Sequence, residues 1–200
     1  MFYDPAKGHG LPHNPFKAIV SPRPIGWIST RDAQGGANLA PYSFFNAINE
    51  NPPMVMFSSG PRKIDSDERK DSVANIRATG EFCVNMVSHA LRDAMNVTCA
   101  HYPQGVDEFE KAGLKKAQAK MIDVPFVQDA PAVMECRLHD IIELPGGQHL
   151  VLGIVVGIHI DDRHIKDGQL DVTSYQPLAR LGYKDYASIT EVFSLDRPTA

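Results

Sequence analysis

A lysine, an aspartate and a serine stand side by side at positions 70–72, and the segment that follows (residues 70–80, KDSVANIRATG) is patterned as a short helix ending at Gly80. The first turn of a helix carries backbone N–H groups with no intrahelical acceptor, and its dipole is positive at that end. Phosphate binds there readily; Lys70 adds a cation and Ser72 a hydroxyl donor. Asp71 opposes this, because a carboxylate repels phosphate unless it caps the helix or points away. The competing reading is an ordinary helix start, with Asp71 or Ser72 as the cap, and local sequence leaves both open.

Other side chains with chemical potential are more scattered. Arg23 lies between Pro22 and Pro24, which keep it out of a helix. Trp27, Tyr42, Phe44 and Phe45 can wall a planar ligand or simply fill a core. His149 follows a Gly-Gly turn at the mouth of an apolar run, where an imidazole serves as a surface or core residue or as a proton donor to a ligand. His159 and His164 neighbour Asp161 and Asp162, a grouping without a recognisable third metal-ligand spacing that reads as a surface turn. Neither a Walker motif nor a G-x-G-x-x-G occurs, so a nicotinamide nucleotide, if used, does not bind through a Rossmann turn. No Ser/His/Asp order or cysteine signature points to nucleophilic catalysis.

The elements that position these residues follow from pattern. Residues 25–30 (IGWIST) have strand composition, residues 31–36 (RDAQGG) a turn, and residues 37–46 (ANLAPYSFFN) a return strand interrupted by Pro41. A proline donates no ladder bond, so this strand is expected at an edge, bulged or split at Pro41. Main-chain groups freed there need another partner, and a flat polar ligand can supply it; an irregular hairpin is the plainer alternative. Residues 16–20 (FKAIV), 54–58 and 81–87 are read as further strands, and Ser88 opens a second helix. After position 130 the chain is β-rich: residues 132–144 as one long strand or two, a Pro-Gly-Gly turn, then residues 148–161, whose Gly153 and Gly157 suit a curved barrel strand. About seven strands with helices inserted between them favour a closed or partly closed antiparallel barrel over a sandwich or a parallel sheet.

Two hundred residues without repeat or linker are read as a single domain, 1–200. A net charge of −4 gives no reason to expect nucleic acid or an anionic membrane, and the longest apolar run is too short to span a bilayer. Three widely spaced cysteines without C-x-x-C, and a start lacking the regions of a signal peptide, point to a cytoplasmic location.

Taken in order, PRPIGWIST (22–30), NLAPYSFFN (38–46), Pro52-Pro53 with the strand after it, Lys70-Asp71-Ser72 with Asn75, and TGEFCVN (79–85) resemble the flavin reductase-like, FMN-binding split-barrel family. Residues 147–161 resemble its last core strand and residues 179–186 its C-terminal segment, so the likeness covers about residues 16–195. The resemblance implies a mainly β fold with inserted helices, a six-stranded antiparallel split β-barrel, and a homodimer with FMN near the subunit interface. It implies that Trp27, Ile28, Ser29 and Thr30, with Ala40, Pro41, Tyr42, Ser43 and Phe44, line the flavin ring and ribityl chain. Ser58, Ser59, Lys70 and Ser72 then serve the phosphate end, Asp71 belongs to the same cofactor-binding motif with its repulsion relieved by capping, and His149 and Arg180 lie near the outer face of the flavin. Where related chains read Leu-Gly-Gly, this one has Leu181-Gly182-Tyr183, and the 62–69 loop is poorly matched.

The activity so implied is that of an FMN-dependent oxidoreductase, an NAD(P)H:flavin oxidoreductase in which NADH or NADPH passes hydride to flavin N5. His149 and Arg23 are the candidate catalytic residues, Arg23 with main-chain N–H groups near Pro41 countering charge on the pyrimidine edge. Reduced flavin can then feed a partner monooxygenase. The rivals are an FMN-bound electron carrier of flavoredoxin type, a reductase for one organic substrate, and a flavin-free barrel.

Overall fold

The computed structural model describes residues 1–60 and 71–199. Lys70 and the 62–69 loop lie outside the described residues. Seven of the described strands form one antiparallel sheet: Gly26–Arg31 (β1), Ala37–Tyr42 (β2), Phe45–Glu50 (β3), Pro53–Ser59 (β4), Glu81–Met86 (β5), Ala132–Leu144 (β6) and Gln148–Ile160 (β7). Their order is β2-β1-β5-β6-β7-β4-β3. The sheet thus has one strand more than the six expected. Its two edge strands, β2 and β3, are consecutive in sequence and separated only by Ser43 and Phe44. The chain passes from one edge of the sheet to the other within that bend, where the Phe44 carbonyl accepts from Ser58 N–H at 2.8 Å. No ladder joins β2 to β3, so the barrel is split at this seam.

The strand holding Pro41 lies at an edge of the sheet, one of the outcomes expected of it, while the break in the chain's path falls two residues later. Pro41 stays in register opposite Trp27. Two residues earlier the Leu39 N–H points away from β1 and is taken by the Glu108 carboxylate at 2.9 Å. Alternation puts the Pro41 nitrogen on that same outer side, where a missing donor costs no ladder bond. The interruption falls instead at Ser43-Phe44. The strand expected over residues 16–20 is also replaced: Phe16–Ile19 is a single helical turn, and Asn14 Oδ1 accepts from Phe16 N–H at its start. Its apolar residues are exposed, Ile19 at 70%, so no sheet pairing is available to bury them.

Side chains alternate between two buried clusters. Ile28, Phe45, Phe57, Phe82, Val84, Cys136, Val151 and Val155 pack inside the barrel with Val73 and Ile76 of the Asp71–Thr79 helix. Trp27, Leu39, Cys83 and Val133 face outward and are covered by the 87–130 segment, including Met95, Phe109 and Val124. The register of β6 with β7 shifts at Gly153 and Gly157, where the long hairpin bends. A Cβ at Gly153 would lie 2.3 Å from the Phe82 ring, so the curve needs glycine there. Leu178–Arg180 pairs with Arg23–Pro24 and with Tyr186–Ser188, tying the C-terminal segment to the start of the barrel.

Candidate functional site

The Asp71–Thr79 helix is pinned to the sheet by side-chain amides as well as by its apolar face. Asn75 Nδ2 donates to Thr30 Oγ1 at 3.0 Å, and Asn38 Nδ2 donates to Ser72 Oγ at 3.1 Å. These bonds bring the helix start against edge strand β2. Ser72 and Pro41 consequently wall the same cavity, of about 120 Å³, together with Asn38, Ala40, Tyr42 and Asp71. Its far wall comes from residues 98–102 and Glu108. The Tyr42 hydroxyl sits within hydrogen-bonding reach of Ser72 and Ser59; burial pushes its pKa up, against those bonds and helped by Asp71 and Glu108. Burial likewise raises Glu108, opposed by its bond from Leu39 and helped by Asp71 and Asp107.

A second cavity of about 210 Å³ shares Pro41 and Cys99 with the first and is bordered by Arg23, Ser43, Arg180 and Tyr183. A third, of about 630 Å³, shares Lys17, Arg23 and Ser43 with the second and opens over Phe44 and Ser58. Each shares wall residues with the next, so the three lie in a row along the seam as a segmented trough. Arg23 is only 6% exposed. Its guanidinium donates to the carbonyls of Lys17 and Val20 and, at 2.6 Å, of Leu181. Nε has no partner. Arg180 is its direct cross-strand neighbour. Burial, and then the charge of Arg180, lowers the Arg23 pKa. Arg180 stacks on Tyr186 at 4.4 Å and donates to the Tyr183 carbonyl. Tyr183 takes a left-handed φ of 56°, with its ring against His13.

The sequence-derived site residues divide accordingly. Ala40, Pro41, Tyr42, Asp71 and Ser72 gather at the first cavity, while Arg23, Ser43, Phe44, Arg180 and Ser58 line the others. Trp27, Ile28, Ser29 and Thr30 have no exposed surface and act from behind the wall. Trp27 Nε1 donates to Thr98 Oγ1 at 2.9 Å, fixing the 98–102 segment, and Asn85 Nδ2 donates to Ser29 Oγ. Ser58 and Ser59 face opposite sides of β4, so only Ser59 lies beneath Tyr42. His149 is directly across from Ser59 and shares its face; its Nδ1 is buried without a partner. Glu108, Asn38 and residues 98–102 were not singled out from the sequence. Asn38 lies inside the quoted NLAPYSFFN stretch, but Glu108 and residues 98–102 carry no local signal. Of the His/Asp grouping, Asp161 caps a short 3-10 helix and grips Arg163, whereas His159 turns back onto the buried Glu135.

An antiparallel barrel split at its edge-strand seam, with a helix amino end beside the opening, defines the class of mononucleotide-binding split barrels. The sequence profile described as flavin reductase like domain matches residues 20–180, and the chain belongs to that family. An uncharacterised protein of Aquifex aeolicus is 40% identical over 170 residues, 84% of this chain and 85% of its own. Nitrilotriacetate monooxygenase component B from Bacillus cereus is similar in structure, with a TM-score of 0.84 and 31% identity over 94% of this chain and 100% of that one. The 2-nitrobenzoate 2-nitroreductase of Pseudomonas fluorescens gives 0.82 and 30%, covering 92% and 89%. The trough's donors suit FMN: hydroxyls and a helix start at one end, two arginines with no carboxylate among the described lining residues at the other, and beside Ser59 an imidazole nitrogen that has no partner among the described residues.

Proposed function

We propose that the chain is an FMN-dependent oxidoreductase, an NAD(P)H:flavin oxidoreductase that takes hydride from NADH or NADPH. The observation that carries this reading is the shared cavity of Pro41 and Ser72. A mononucleotide with its phosphate at the helix start and its ring at the seam touches both. Ser72, Tyr42 and Ser59, with Asp71 turned to helix capping, would hold the phosphate end. Ala40, Pro41 and Ser43 would border the ring, while Trp27 to Thr30 keep the wall rigid from behind. When bound, FMN supplies a two-electron acceptor, and the protein's share is orientation and electrostatics. Arg23 and Arg180 place positive charge at the seam without an acidic neighbour in the wall, which favours a ligand that gains negative charge. His149, on the Ser59 face, is proposed to reach the phosphate end rather than the outer face of the ring.

The likeness to a monooxygenase component supports a role in delivering reduced flavin to a partner monooxygenase. A cytoplasmic homodimer completes the proposal. No described helix is long and apolar enough to cross a membrane. Ile48 of β3 is 46% exposed, and that strand offers a free pairing edge. The test is a visible spectrum of the purified protein, followed by anaerobic addition of each nicotinamide. Bound flavin bleached by NADH or NADPH upholds the reading; flavin that stays oxidised with both makes the chain an electron carrier, and a protein that takes up no FMN overturns the cofactor assignment.

A further inference from the structure

The third cavity is the largest of the trough, about 630 Å³, inside the range of small-molecule sites. Its wall is mostly apolar: Phe44, Phe45, Met56, Leu144 and Leu150 with prolines. Two cations enter it, and both approach the same ring. Lys17 Nζ lies 5.8 Å from the Phe44 centroid and the Arg23 guanidinium carbon 5.9 Å. No aspartate or glutamate lines the cavity, and neither cation pairs with a carboxylate among the described residues. Arg23 is nine-tenths buried, its terminal nitrogens donate to three carbonyls, and its unpartnered Nε is itself buried, so it offers the cavity its charge rather than a free hydrogen bond; its cross-strand neighbour is another arginine. A buried cation held only by carbonyls, with like charge opposite, is costly to keep. The cost falls when an anion occupies the space beside it. An aromatic floor flanked by two cations in an apolar box fits one kind of ligand well: a flat ring carrying a single negative group.

We propose that this chamber is a binding site for a planar organic monoanion of the aryl carboxylate class, seated on Phe44 with its carboxylate between Lys17 and Arg23. The chamber adjoins the proposed ring end of the flavin through Lys17, Arg23 and Ser43, so the inference rests on the preceding reading in treating the other two cavities as the flavin's. A ligand here would sit next to the flavin without taking its place.

Calorimetric titration of the full-length protein, with and without FMN, against benzoate, the neutral isostere benzamide and the ringless anion acetate tests it. Benzoate is expected to bind saturably, at least about tenfold more tightly than either control, the size of one charge-assisted hydrogen bond. Lys17→Gln, at a half-exposed turn that the core does not depend on, should weaken benzoate about fivefold or more and leave benzamide unchanged. Phe44→Leu should weaken benzoate and benzamide together. Equal affinity for benzoate and benzamide, no effect of Lys17→Gln, or release of FMN by benzoate would each overturn the proposal, the last by giving the chamber to the flavin. Should the protein take up no FMN, the flavin reading fails by itself, and benzoate heats in the flavin-free protein still decide the chamber.

Discussion

Ser72 shows how one hydroxyl acquires a task from its neighbours. Asn38 donates to its oxygen, Tyr42 stands within reach, and the backbone around it starts a helix. Ser72→Ala should weaken FMN binding about 5- to 20-fold, the value of one hydrogen bond to a charged group, with riboflavin affinity changed far less; fluorescence titration of both ligands measures the contrast. Equal losses for the two flavins would place Ser72 away from the phosphate. Glu135 carries a different burden. It has no exposed surface and accepts from Lys120 and Met121 N–H at 2.8 and 2.7 Å and from His159. Burial alone raises a carboxyl, but these bonds outweigh it and hold the pKa below its usual value. A depressed folded pKa stabilises fully above the unfolded value of about 4.3 and is lost as pH falls through the folded one. Glu135→Gln should therefore cost about 2–3 kcal/mol at neutral pH and show a shallower loss below pH about 4 in chemical denaturation. The helix start at Asp71 was legible at this scale because it is a local feature. Glu108 was not, since nothing within its own segment says that its carboxylate will meet Leu39.

At the scale of elements, strands announced themselves by composition, and their partners did not. The hairpin over positions 26–42 and the long one over 132–160 follow from turn residues between apolar runs. Gly153 was read as a bend, and the packing supplies the cause: the Phe82 ring fills the place of a side chain. Gly153→Ala should destabilise by about 2–3 kcal/mol by overpacking, read as a lowered melting temperature, with the fold retained by circular dichroism. A neutral outcome would mean that Phe82 has room to move. Pro41 pointed to an edge strand, where it lies, but not to an interruption at its own position, for a physical reason. A proline interrupts a strand only where its nitrogen faces the partner, and which way it faces is set by register. Residues 16–20 misled because an apolar run was taken for a buried one. The Asn14 side chain closes a helical turn there, leaving the apolar residues exposed.

For the molecule as a whole, the exposed edge β3, with Ile48 on it, makes a dimer the expected solution state. Light scattering should give twice the 22.0 kDa of one chain, and Ile48→Asp should shift the species toward a monomer. A monomer at micromolar concentration would leave the homodimer without support. The sequence by itself determined the β-rich class, the family and the two stretches that supply one side of the cavity, within 38–42 and at Asp71-Ser72. Periodicity, proline placement and helix caps are local, so the chain displays them before it folds. Only the tertiary structure decided that β2 and β3 become opposite edges of one sheet, that residues 98–102 and Glu108 close the cavity, and that Arg23 and Arg180 stand face to face. Those relations join positions up to 157 residues apart, as in the Arg23–Arg180 pair. Chain closure and sheet register fix them, and neither is written in any single segment.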